Sequence, residues 1–135
     1  MPYCKLYFHF VWATKYRNET ITAALRAPLY EAITAKASEL KAHVHALNGM
    51  SEHVHLVVEL PPVSAPSEFI GAVKGFSSHS VNRQTRILMP TTFKWQTEYS
   101  VFTFSESELP IIVNYVERQQ QHHATGTLRK RFEDW

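Results

Sequence analysis

Two histidines separated by one residue occur twice within 43-HVHALNGMSEHVHLVVEL-60. On a strand, positions i and i+2 face the same way, so His43 and His45 form one pair and His53 and His55 another. Imidazole suits Mn, Fe, Co, Ni and Zn, and tolerates Mg where oxygen ligands complete the shell. Each pair is half a metal site. A third ligand must come from another element, and the plain alternative is a strand histidine facing solvent. In 111-IIVNYVERQQQHH-123, Tyr115 and Gln119 stand at i and i+4, where helical side chains meet on one face. A phenol beside a divalent ion is a nucleophile, and an amide oxygen four residues on is a third ligand. Taken alone, that spacing also fits a tyrosine anchoring the edge of the core beside a solvated glutamine.

The surrounding pattern shows which elements would carry these groups. Residues 3–13, YCKLYFHFVWA, are rich in aromatic and β-branched residues and read as a buried strand. Residues 22–40 place Leu25, Leu29, Ala32, Ile33, Ala37 and Leu40 at helical spacing, with Thr22 as N-cap. Pro28 is expected to kink that helix or shorten it at its start. Residues 42–48 and 53–60 alternate as strands, and Asn48-Gly49 signals the hairpin turn between them. Ser67 is expected to cap a helix running to about Arg86, with Phe69, Ile70, Val73, Phe76 and Val81 inward. Residues 93–104 read as a strand, bent or in two pieces. Ser105 or Ser107 then opens a last helix that tolerates Pro110 in its first turn and runs to about His123. The order β-α-β-β-α-β-α is the split βαβ, ferredoxin-like arrangement plus one helix, an α+β fold with an antiparallel sheet. The first two helices are expected on one face, and the last on the other face or at the sheet's edge.

Register places the first histidine pair. Val44 and Ala46 are expected to join Val54, Leu56 and Val58 on the core face, which puts His43 and His45 beside His53 and His55. The second pair heads the longer, more β-branched strand directly after the turn, so it is the favoured pair of ligands.

The bulk properties are those of one globular domain over residues 1–135, with 44% hydrophobic and 19% charged residues and a formal charge of only +2. No strong polyelectrolyte signal comes from that total. Eight histidines are many for this length, and their clustering favours a site. The single cysteine, Cys4, excludes an intramolecular disulfide and fits a reducing, cytoplasmic setting. No apolar run approaches the roughly 20 residues of a membrane span, and no leader pattern opens the chain. The tail, residues 124–135, is expected to be weakly structured or docked by Phe132 and Trp135.

His53-Val54-His55 after 50-MSE-52, paired with 115-YVERQ-119 on a late helix, resembles the single-tyrosine HUH transposases of the insertion-sequence-two-hundred-like family, which includes the REP-associated tyrosine transposases. The strand 8-FHFVWATKYR-17, the helix 73-VKGFSSHSVNRQ-84 and 95-WQTEYSVFTFS-105 extend the resemblance to about His123. It implies strand transfer on single-stranded DNA. His53, His55 and Gln119 would hold a divalent ion, Mg or Mn, that polarises the scissile phosphate. Tyr115 would attack phosphorus, become 5′-phosphotyrosyl-linked and release a 3′-hydroxyl. The resemblance further implies DNA with hairpin ends as partner, no membrane, and action at the nucleoid. It implies a homodimer whose tyrosine helix serves the partner's site, although REP-associated relatives can be monomeric. Lys15, Arg17, Lys74, Arg83, Arg86 and Lys94 are expected against DNA. His43, His45 and His122 are expected behind the ligands. The chain has Glu98-Tyr99 where the family often has glycine before tyrosine, and Tyr99 is the rival nucleophile by type. Other classes stay open: a non-catalytic nucleic-acid-binding module on the same fold, a REP-element-processing single-strand endonuclease, and a plain metal-binding or RNA-processing enzyme that hydrolyses phosphodiesters.

Overall fold

The structure, a computed structural model, describes residues 3–85 and 92–119. Four strands, β1 (Tyr7–Ala13), β2 (His43–Gly49), β3 (His53–Glu59) and β4 (Ser100–Phe104), form one antiparallel sheet in the order β2-β3-β1-β4. With α1 (Ala23–Glu39), α2 (Pro66–Thr85) and α3 (Leu109–Glu117) in their chain positions, this is the expected ferredoxin-like α+β fold with an added C-terminal helix, and that helix contains Tyr115.

Alternation along β1 divides the molecule. Phe8, Phe10 and Trp12 face one way with Leu56 and Val58, and α1 and α2 close the main core over them. Tyr7, His9, Val11 and Ala13 face the other way, opposite Glu59, Val57, His55 and His53, on the side that α3 partly covers. Thr22 caps α1 by accepting from the Leu25 amide. Pro28 does not shorten it; the helix starts at Ala23 and runs on through the proline. It ends in a Schellman motif, with Lys41 left-handed at φ 67° and Ala42 N donating to Ala37 O at 3.0 Å. In α2, Ser77 and Ser80 are buried, while Phe76, expected in the core, is 39% exposed beneath the Lys36 ammonium. The segment over 93–104, read as a strand bent or in two pieces, is in two pieces: a single bridge between Thr14 and Trp95, then β4.

Two expectations about the hairpin fail for physical reasons. Asn48-Gly49 is not the turn. The strand continues through both, Gly49 opposite Val54, and the chain reverses over residues 50–52. Glycine is required there by close approach, since a Cβ at 49 would lie 2.2 Å from the His53 carbonyl oxygen. The register also shifts between Val44 and Ala46. This irregularity turns Ala46 to the α3 side, where it packs with Val57, while Val44 and Leu47 pack on the main core.

Candidate active site

His53 and His55 stand at the start of β3 on the α3 side, and both are fully buried. A capping box at Ser105 and Glu108, with Pro110 in the first turn, launches α3 toward them. Ile112, Tyr115 and Val116 dock that helix on Ala46 and Val57. Asn48, opposite His55 in the sheet, donates through Nδ2 to the Glu117 carbonyl at 3.0 Å and so ties the end of α3 to β2; its own amide oxygen accepts from Arg26 of α1.

The docking brings the separated halves together. The Gln119 amide oxygen lies 3.2 Å from His53 Nε2, and both groups are buried. The rings of His53 and His55 are 5.1 Å apart, and the Tyr115 ring is 6.3 Å from that of His55 in an edge-on arrangement. Tyr115 is only 2% exposed. All four groups come from a single chain.

Each imidazole is also held from behind. His53 Nδ1 is 2.7 Å from a Glu52 carboxylate oxygen, which leaves Nε2 as the ring atom turned to Gln119. His55 Nδ1 is 2.8 Å from His9 Nε2, with His9 fully buried in β1. Such contacts fix which ring nitrogen carries a proton and how the ring is oriented. Sequence reasoning missed both His9 and Glu52. A signal for His9 existed: in 8-FHF-10 alternation turns the histidine away from the core that takes its two neighbours.

The remaining candidates are dispersed. His43 and His45 share the α3 side but sit at its far end: His45 contacts a Glu59 carboxylate oxygen at 3.5 Å and packs edge-on to Tyr7, and its ring is 4.5 Å from that of His43. Tyr7 donates to Glu106 at 3.1 Å, and burial with that carboxylate pushes its phenol up. Tyr99 lies on the opposite side of the sheet, near Phe10. Lys15, Arg17, Arg83 and Lys94 are exposed. The Lys74 ammonium is committed to the carbonyls of Gln96, Thr97 and Glu98 at 2.7, 3.1 and 3.2 Å, and burial lowers its pKa. Arg86, His122 and the tail lie outside the described residues.

Among the described residues no three His, Cys, Asp or Glu side chains are grouped to hold a metal. Two imidazoles and an amide oxygen are a different donor set, and it fits a divalent cation. His53 Nε2 and Gln119 Oε1 stand 3.2 Å apart, both buried, and would face one ion together.

Known proteins place the chain in a family. The family model described as IS200-like transposase matches residues 2–119. The ISDra2 transposase TnpA of Deinococcus radiodurans is 26% identical over 122 residues, which covers 85% of this chain and 84% of that protein. The transposase for insertion sequence element IS200 of Salmonella typhimurium is 35% identical over 77 residues, 56% of this chain and 48% of its own length. The crystal structure of a candidate transposase from Deinococcus radiodurans R1 superposes with a TM-score of 0.71 at 29% identity, covering 87% of this chain and 93% of that one. A REP-associated tyrosine transposase bound to a REP hairpin shares the fold, with a TM-score of 0.66 at 17% identity over 100% of this chain and 77% of its own. The family match spans the whole sheet and reaches Gln119 beyond the helix that carries Tyr115, and the chain therefore belongs to the IS200-like transposases.

Proposed function

We propose that this transposase cleaves and rejoins single-stranded DNA through a 5′-phosphotyrosine on Tyr115, with Mg or Mn held by His53, His55 and Gln119. The observation that carries the reading is the convergence of these four side chains from β3 and the α3 end of the chain, more than fifty residues apart in sequence. A core tyrosine and a solvated glutamine would not need two buried histidines, and Gln119 is fully buried.

The chemistry balances without water. The Tyr115 phenol oxygen forms a bond to phosphorus, the bond from phosphorus to the 3′-oxygen breaks, and that oxygen leaves as a 3′-hydroxyl. Attack by another 3′-hydroxyl on the phosphotyrosine reverses the step and joins strands. The bond energy that hydrolysis would discard is conserved in the ester. A bound divalent ion supplies Lewis-acid stabilisation of the phosphate and a template for it. The chain's own residues do the rest. Glu52 and His9 hold the two imidazoles in position, and Asn48 holds the end of α3. The Tyr115 ring must turn out of its burial to meet a phosphate.

The partner in this reading is single-stranded DNA with hairpin ends. The family expectation is a homodimer with exchanged tyrosine helices, and its rival is a monomer that uses its own helix, in which the Tyr115 ring lies edge-on 6.3 Å from that of His55. One assay tests the whole reading. Oligonucleotides with candidate hairpins and single-stranded flanks are incubated with Mg or Mn and run on a denaturing gel. A protein–DNA adduct that Tyr115→Phe abolishes is the expected result. Cleavage retained by Tyr115→Phe, with a free 5′ end, sinks the nucleophile assignment and favours hydrolysis. A mixture of Tyr115→Phe and His53→Ala chains stays inactive if each chain serves its own site, and regains activity if helices are exchanged.

A further inference from the structure

The Tyr115 phenol must leave its burial to reach phosphorus, and the helix fixes the side on which it can do so. From Tyr115, Ile112 and Val116 lie about 60° and 100° to one side of the α3 axis, and Ile111 and Arg118 about 40° and 60° to the other. The first flank is buried against Ala46 and Val57. The second faces solvent: Ile111 is 52% exposed, and Arg118 is exposed as well. A ring that turns out therefore passes between Ile111 and Arg118. Tyr115 and Arg118 stand at i and i+3, which sets their Cβ atoms about 5–6 Å apart.

The backbone of Arg118 is pinned on both sides. The Glu117 carbonyl accepts from Asn48 Nδ2 at 3.0 Å, and the Gln119 amide oxygen lies 3.2 Å from His53 Nε2. Arg118 N donates to the carbonyls of Asn114 and Tyr115 at 3.2 and 3.3 Å, so the residue closes the last turn of α3. Its guanidinium, by contrast, makes no hydrogen bond or ion pair among the described residues. Charge singles it out further. The four strands and α3 contain no lysine or arginine, and Arg118 is the C-cap of that helix. The elements around the site carry carboxylates instead: Glu52 beside His53, Glu106 and Glu108 before α3, and Glu117 at its end. Arg26 reaches the same region from α1 but is committed to Asn48 and to the Tyr30 ring. His53, His55 and Gln119 are neutral groups when they hold a cation.

We infer that Arg118 is a catalytic residue, whose guanidinium binds the non-bridging oxygens of the scissile phosphate and offsets the negative charge that grows there as Tyr115 attacks. In that step the bond from the phenol oxygen to phosphorus forms, the bond from phosphorus to the 3′-oxygen breaks, and the phenol proton ends on the departing oxygen. Arg118 exchanges no bond and no proton. A planar guanidinium matches two phosphate oxygens at once and keeps its charge at any working pH. Fixed donors aimed at developing charge act most strongly where water is excluded, and the site beneath Tyr115 is fully buried. Because Arg118 stands one turn on from the nucleophile along the same helix, the two stay together whichever chain's histidines that helix serves. The assignment rests on the phosphotyrosine reading above and adds the group that answers the charge of its transition state.

A methylphosphonate at the scissile position tests this role, because it replaces one charged non-bridging oxygen by a methyl group. Adduct formation is followed in single turnovers with Mn and saturating hairpin oligonucleotide. On the ordinary phosphodiester we expect Arg118→Ala to slow the step about 100-fold, the usual effect of losing one donor to transition-state charge, and Arg118→Lys to recover part of the rate. On the methylphosphonate we expect the wild-type chain and Arg118→Ala to react at equal rates. The melting temperature and the Mn affinity of the DNA-free chain should be unchanged in Arg118→Ala, since the side chain is exposed. Equal slowing of Arg118→Ala on both substrates, or a loss of Mn affinity that accounts for the slower rate, assigns Arg118 to holding Gln119 in place and overturns the proposal. A wild-type rate for Arg118→Ala on the phosphodiester also overturns it, and leaves the nucleophile assignment standing where Tyr115→Phe still abolishes the adduct. A wild-type chain that forms no adduct removes the phosphotyrosine reading and this assignment with it.

Discussion

Replacing His9 separates metal-site positioning from simple packing. His9 Nε2 is 2.8 Å from His55 Nδ1, and both rings are fully buried. For His55 to bind a cation through Nε2, its proton must sit on Nδ1, and that N–H must be accepted by His9. His9→Leu removes the acceptor at little change in volume and leaves a buried N–H facing carbon. Two costs follow. The apo chain loses about 1–3 kcal/mol for the unpaired donor, a fall in Tm of roughly 3–10 °C at this chain length. Metal affinity falls by roughly 10–100-fold, the usual effect of removing a group that orients a ligating histidine, or about 1.4–2.8 kcal/mol. His9→Gln restores an acceptor oxygen near the same place and should recover most of the affinity. The measurement is Mn titration followed by electron paramagnetic resonance or calorimetry on the DNA-free chain, beside thermal melts without metal. The reasoning is refuted if His9→Leu binds Mn as the wild type does, or if the leucine and glutamine variants lose affinity equally.

Gly49→Ala should cost about 2–3 kcal/mol or more, because the new methyl would meet the backbone of His53 and Val54, neither of which can swing aside. Since His53 itself must shift, adduct yield should fall more steeply than the melting temperature suggests; a variant with wild-type stability and yield would show that the close approach is not a constraint. Tyr30 provides a pH signature in the main core. Burial pushes its phenol up to about 12, above the ordinary value near 10, so the folded chain keeps the proton longer than the unfolded one. Stability present below pH 10 is therefore lost between pH 10 and 12, by up to about 2–3 kcal/mol. Tyr30→Phe should flatten that decline in denaturant melts. Below pH 10 it should be neutral or stabilising, because the hydroxyl it deletes is buried with no hydrogen-bond partner among the described residues. A variant that follows the wild-type curve above pH 10 would assign the alkaline loss to another group.

What could be read in advance divides along a physical line. Element order followed from period-two and period-3.6 apolar patterns, because burial on one face leaves that mark on sequence. Loop geometry and register did not follow. Asn48-Gly49 has the composition of a two-residue turn, yet its glycine answers to the His53 carbonyl across the sheet, a contact that no local pattern encodes. Strict alternation puts Ala46 on the wrong face, because the strand slips in register between Val44 and Ala46. Of the candidate site, half is legible. His53 and His55 announce themselves by spacing, as do Tyr115 and Gln119, and the family resemblance joins the two halves. The groups that hold those histidines were not read. His9 is 46 residues from His55, and only strand pairing makes them neighbours. The same limit explains the two histidine pairs. Spacing made them equivalent, and the fold separates them by what meets each: His53 and His55 have Glu52, His9 and the end of α3, whereas His43 and His45 meet Glu59 and Tyr7, at the end of the sheet that Gln119 does not reach. A pair of imidazoles becomes a candidate metal site only where separate elements converge to supply the third donor and to fix both rings, and that convergence is a property of topology.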